Sequence, residues 1–99
     1  SQENIIRGSV IYVDNYGNAI TNINKLEFER VQKGRSFTIL FGREDEMITN
    51  LSSKYRDVPI ADKLALFGEN NQLQIAINKG KASTLLGLSL HEVIRVEFK

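Results

Sequence analysis

Residues 13–22 read Val-Asp-Asn-Tyr-Gly-Asn-Ala-Ile-Thr-Asn, and they bring a carboxylate, an aromatic ring and an amide together within a few positions. Asp14 can take a cation, Tyr16 offers a π-face, and Asn18 carries both a donor and an acceptor. Gly17 lets the backbone adopt a positive φ that a bulkier residue resists. A turn of this kind can close around a flat, polar, partly cationic ligand. The same residues also make an ordinary turn, because Asp, Asn and Gly favour local hydrogen bonding and left-handed backbone. On composition alone the segment is a plain loop. What lies around it decides.

The elements that must position this turn follow from the apolar pattern. Residues 8–13 are β-branched and apolar and predict a strand buried on both sides. Asn24 can cap a helix over 25–32, with Glu27 as capping-box partner and Gly34 as its stop. Residues 36–41 predict a strand with Phe37, Ile39 and Phe41 on one face; Arg43 to Glu46 form a polar turn, and 47–49 resume a short strand. Residues 51–62 are irregular, with Tyr55 in the middle and Pro59 near the end, a length often tied to function. Residues 63–67 and 72–77 form a hairpin through Gly68-Glu69-Asn70-Asn71, where Asn tolerates the left-handed conformation. Leu73, Ile75 and Ile77 alternate with Gln72, Gln74 and Asn78, the mark of a half-buried strand. Residues 80–88 predict a short helix packed by Leu85 and Leu86, and 93–98 a last strand with Ile94, Val96 and Phe98 inward. The sum is a mainly β fold: a small antiparallel β-barrel of about six strands with two short helices. Closure removes the sheet edges that an open fold would have to protect.

Composition narrows the function. Ninety-nine residues suit one domain with one modest core. Thirteen Lys and Arg against twelve Asp and Glu leave a net charge of +1 without a basic block, which argues against a phosphate-binding surface for nucleic acid. With no Cys there is neither a disulfide framework nor a thiolate metal site, and the single His91 cannot form a multi-histidine centre. No apolar run approaches a membrane span, and the first residues lack a signal-peptide layout, so the cytoplasm is the expected compartment.

Gly8-Ser9-Val10, Val13-Asp14, Tyr16-Gly17-Asn18 and Thr21-Asn22 resemble a G-x-V-x-x-V-D-x-F-G-N-x-x-T-N signature. It belongs to the C-terminal domain of the S-adenosylmethionine hydroxide adenosyltransferase family, relatives of the fluorinase and chlorinase enzymes. Further on, Tyr55, Asp57 and Pro59 resemble a Y-x-D-x-P block. Leu73-Gln74-Ile75-Ala76-Ile77-Asn78, Gly80, Ala82 and Leu86-Gly87-Leu88 resemble L-E-I-A-V-N-x-G-x-A-x-x-L-G-L, in the same order. The resemblance covers nearly the whole chain.

It implies that residues 1–99 are a single C-terminal β-barrel domain of a larger two-domain protein, without its N-terminal α/β domain. It implies trimers, with the active site closed by the N-terminal domain of a neighbouring protomer. The reaction would be attack of water or hydroxide on the 5′ carbon of S-adenosylmethionine, giving adenosine and methionine, with no further cofactor. The hydroxide-activating groups would lie in the N-terminal domain, so no catalytic residue is expected here and the isolated domain should be inactive. By position, Asp14 would take the α-ammonium, Asn18 the adenine edge, Tyr16 a place beside the nucleoside and Tyr55 a stacking face. Backbone near Gly80 and Ala82 would complete the adenine pocket. The family carries S-x-G in the hairpin turn, where the carboxylate is held; this chain has Gly68-Glu69-Asn70-Asn71. Either Asn70 takes that contact, or the turn is reshaped, or the methionine end binds differently. Thr21 and Asn22 would satisfy backbone groups, and Lys79, Lys81 and His91 would be solvated.

Two other functions fit the composition. An OB-like module would bind single-stranded nucleic acid through aromatics interleaved with Lys and Arg, but residues 72–78 show Gln and Asn on the polar face. A structural trimerisation domain with a degenerate pocket would account for Glu69.

Overall fold

In the computed structural model, which describes residues 3–42 and 46–99, seven antiparallel strands form one strongly curved sheet in the order β4-β3-β7-β1-β2-β6-β5. The strands are β1 (Ile5–Val13), β2 (Ala19–Asn24), β3 (Phe37–Phe41), β4 (Glu46–Ile48), β5 (Lys63–Phe67), β6 (Gln72–Ile77) and β7 (Val93–Phe98). The two end strands, β4 and β5, touch, and Lys63 Nζ reaches Glu46 Oε1 at 3.0 Å across the seam. The barrel is therefore nearly closed. The polar turn expected at Arg43 to Glu46 lies mostly outside the described residues.

The strand beyond the expected six is β2. Its sequence alternates, with Ala19, Thr21 and Ile23 buried and Asn22 and Asn24 exposed. Thr21 hides this alternation because a hydroxyl stands where an apolar residue would be. Its Oγ1 accepts from Ile23 N at 3.1 Å, which makes full burial tolerable. Asn22 Oδ1 accepts from Ser9 N at 2.9 Å and ties β2 to β1 where their ladder ends.

β1 is longer than expected and is buried on one face, not both: Ile6 and Val10 face the core, whereas Ile11 and Tyr12 are exposed. Val10 pairs with Thr21 and Tyr12 with Ile20, so Ile11 is a bulge. A bulge re-aims the residues that follow it. Here it turns the end of β1, and Asp14 with it, toward the outer face of the barrel.

α1 (Lys25–Gln32) starts where Asn24 Oδ1 accepts from Leu26 N at 2.8 Å, and Lys33 and Gly34, both at positive φ, end it. The expected reciprocal bond from Glu27 is not what caps it; Glu27 instead lies in the first turn, facing the positive end of the helix dipole. Phe28 closes the barrel. Its ring is fully buried, edge-on to Phe37 at 5.1 Å and to Phe67 and Phe98 at 5.4 Å each. α2 (Ala82–Leu85) is shorter than the expected 80–88, and Leu85 is exposed; Ala82 and Leu88 are the residues it buries or leads into the core.

Candidate functional site

β1 ends in a turn held by one side chain. Asp14 Oδ1 accepts from Tyr16 N and Asn18 N, both at 2.9 Å, and Oδ2 accepts from Asn18 Nδ2 at 3.0 Å. The backbone closes the same loop, with Asp14 N donating to Asn18 O and Gly17 N to Asp14 O. Gly17 sits at φ +79° and is packed against Lys81; a Cβ there would stand 2.6 Å from Lys81 Cβ. Ser83 N donates to Gly17 O at 2.9 Å, so the residues before and within α2 are clamped to the turn.

Asn18, only 4% exposed, spends its other amide hydrogen on Tyr55 Oη at 3.1 Å. Both donors of Asn18 are thus used within the protein, and its Oδ1 takes no bond among the described residues. Tyr55 Oη accepts, so its own hydrogen is free to donate. Tyr55 rides on a single 3₁₀ turn (Tyr55–Asp57) in the long irregular segment. Asp57 fixes that segment by accepting from Ser53 N and Lys54 N, and these bonds lower its pKa below the ordinary carboxylate value. Burial pushes the Tyr55 phenol above its usual 10.0, the charge of Asp14 adds to this, and the bond from Asn18 works against it.

These groups border an open cleft of about 1330 Å³ on the outer face of the barrel. Strand registers define its floor. Tyr12 pairs with Ile20, Ile20 with Gln74, and Gln74 with Leu66, so one transverse row crosses β1, β2, β6 and β5. All four residues line the cleft. A mostly apolar floor with a few convergent polar groups is the usual character of a small-molecule site.

Of the residues singled out from sequence, Asp14, Tyr16, Asn18, Tyr55 and Asn70 border the cleft, and Tyr16 is 78% exposed at its mouth. Ala82 does not: it is fully buried, and Gly80 and Lys81 line the cleft in its stead. Asp14 carries three internal bonds against roughly four lone-pair sites, so it has little left for a ligand and serves first to aim the turn. Lys79 and Lys81 are exposed as expected, yet both stand on the cleft wall, and Lys79 is held at φ +57°. His91 lies in a turn outside the cleft.

Two residues carry more than their sequence suggests. Asn78 is buried, donates from Nδ2 to Val58 O, and exchanges backbone bonds with Ala61 and Asp62, which fastens the irregular segment to the end of β6. Gln74 lies in the floor row, with its carboxamide packed over Gly68. An amide closing an alternating strand, and another in the middle of one, were the only available signals. Among the described residues no cluster of His, Cys, Asp and Glu is placed to hold a metal ion, and no helix is long and apolar enough to cross a membrane.

Residues 8–95 match the family described as SAM hydroxide adenosyltransferase C-terminal domain. The chain belongs to this family. The match takes in the Asp14 turn, Tyr55, the β5–β6 hairpin and α2, and so the whole cleft of this SAM hydroxide adenosyltransferase C-terminal domain. No curated protein matches the chain closely enough to count as a relative. Among solved structures, an uncharacterized conserved protein from Thermotoga maritima superposes with a TM-score of 0.80 at 24% identity, covering 97% of this chain and 37% of that one. A conserved hypothetical protein from Thermus thermophilus gives 0.66 at 23% identity, covering 94% and 34%. These two likenesses show the fold. The chain spans little more than a third of either structure.

Proposed function

We propose that this chain is the nucleoside-binding part of an enzyme that transfers the adenosyl group of S-adenosylmethionine to hydroxide. The oxygen of hydroxide forms a bond to C5′, the C5′–sulfur bond breaks, and its electron pair leaves on sulfur. Adenosine and methionine result. A sulfonium is already a good leaving group, so the protein has mainly to hold the carbon and the nucleophile in line. The observation that carries this reading is the Asp14–Asn18–Tyr55 chain of hydrogen bonds bordering an open, apolar-floored cleft. Asn18 Oδ1 would accept from the adenine amino group, the Tyr55 ring would stack on the base, and backbone at Gly80 and Lys81 would edge it.

The cleft is open on its outer side, which suits completion by a second domain. That partner would be the N-terminal α/β domain of a neighbouring protomer in a trimer, and the enzyme would work in the cytoplasm. The test is to incubate the natural full-length protein with S-adenosylmethionine and measure both products. Equal release of adenosine and methionine, cut about tenfold or more in kcat/KM by Asn18→Ala, supports the reading. No release at high enzyme concentration rejects it.

A further inference from the structure

The formal charges of the cleft sit on four side chains. Asp14 and Glu69 supply carboxylates, and Lys79 and Lys81 supply cations. Asp14 spends three of roughly four lone-pair sites on its own turn. Glu69 stands exposed in the hairpin turn before β6, and the two lysines follow the other end of that strand. Neither lysine forms an ion pair among the described residues. An anion entering the cleft is therefore repelled at the hairpin and attracted at the α2 end.

The two lysines are not equivalent. Lys79 is exposed on the tight turn that follows β6, at φ +57°. Lys81 is seated. Its stem lies over Gly17, where an added Cβ would come 2.6 Å from Lys81 Cβ and 2.7 Å from its Cγ. Its carbonyl accepts from Thr84 N at 3.2 Å and from Leu85 N at 2.9 Å, and Ser83 N donates to Gly17 O at 2.9 Å. A lysine whose first stem atoms are already placed loses less rotamer freedom when its ammonium takes a partner. The same packing sets Lys81 against the Asp14 turn, because Gly17 N donates to Asp14 O at 3.0 Å. A carboxylate with one lone pair to spare and a seated, unpaired lysine thus flank one turn.

An α-amino acid carries its ammonium and its carboxylate on one carbon, so the groups that hold them must be neighbours. We infer that Lys81 receives the α-carboxylate of the methionine tail beside Asp14, and so makes the cleft select a zwitterionic tail. This rests on the nucleoside reading of the cleft. The backbone at Gly80 and Lys81 edges the base, and the Lys81 side chain runs from there over Gly17 to reach the tail. Lys81 binds and orients; it touches no reacting atom, and the chemistry at C5′ is unchanged.

The test uses the natural full-length protein and calorimetric titration with three probes that are not turned over. They are adenosine, S-adenosylhomocysteine, and the matching thioether whose tail ends in an amine without the carboxylate. Lys81→Met keeps a stem over Gly17 and removes the charge. It should weaken S-adenosylhomocysteine about tenfold or more, the loss expected for a hydrogen bond to a charged group, and leave adenosine and the amine thioether unchanged. With S-adenosylmethionine it should raise KM by about the same factor at unchanged kcat, as loss of uniform binding does. An unaltered S-adenosylhomocysteine affinity in Lys81→Met overturns the inference, as does an equal loss for all three probes, or a loss that follows Lys79→Met instead. In each of these results adenosine binding to the unaltered protein keeps the nucleoside reading. Failure of all three probes to bind that protein overturns both.

Discussion

Asp14→Asn changes one atom and should invert the hydrogen-bonding sense of the site. Asp14 Oδ1 receives two backbone N–H groups, so an Asn must keep its oxygen there. Its new NH₂ then faces Asn18 Nδ2 at the position now 3.0 Å away, donor against donor. Asn18 relieves this by turning its amide over. Its Oδ1 would accept from the new NH₂ and from the Tyr55 hydroxyl, which now donates. The number of bonds is conserved, so the fold loses only the charge-assisted part, about 1–2 kcal/mol. The face toward the cleft is reversed: Asn18 offers a donor where it offered an acceptor.

Adenine presents an amino group at that edge, and hypoxanthine a carbonyl. The unaltered protein should bind adenosine more tightly than inosine, and Asp14→Asn should shift the ratio toward inosine by roughly 30–700-fold, one matched and one mismatched hydrogen bond at about 1–2 kcal/mol each. Calorimetric titration of both nucleosides into both full-length proteins reads this directly, with circular dichroism to show that the variant is folded. A folded variant with an unchanged adenosine-to-inosine ratio refutes the reasoning.

Removal of the Phe28 ring should cost about 3–5 kcal/mol, because it is fully buried against three other rings and leaves a cavity at the barrel end; urea unfolding of Phe28→Ala measures it. The raised Tyr55 pKa implies that the folded state holds this proton more tightly than the unfolded one. Its contribution is complete below the ordinary value of 10.0 and is lost as pH rises through the folded value. Stability should therefore fall more steeply above about pH 10 in the unaltered protein than in Tyr55→Phe, as read from unfolding curves across that range.

Much of the fold could be read from local pattern. Asn24 and Gly34 bracketed α1, the alternation of Leu73, Ile75 and Ile77 marked β6, and Asn71 takes the left-handed turn position at φ +58°. β2 was hidden because Thr21 sits in the core with its hydroxyl satisfied locally, and hydropathy cannot see that bond. The bulge at Ile11 was hidden because it is a matter of register between strands, and it is what leaves one face of β1 open to the cleft. At the site, sequence singled out Asp14, Asn18 and Tyr55, and the structure brings them to one cleft through bonds that sequence does not show. Asp14 is chiefly a frame for the turn, and Tyr55 is tethered through its hydroxyl as well as offering its ring. Gln74 read as a solvated strand residue, since only the neighbouring strands reveal that its amide is confined above Gly68.

The most direct test of the account is a crystal structure of the full-length protein grown with adenosine. The account predicts the base lying on the Tyr55 ring with its amino group on Asn18 Oδ1, above the row formed by Tyr12, Ile20, Gln74 and Leu66. A nucleoside bound elsewhere, with this cleft empty or covered by protein, contradicts it.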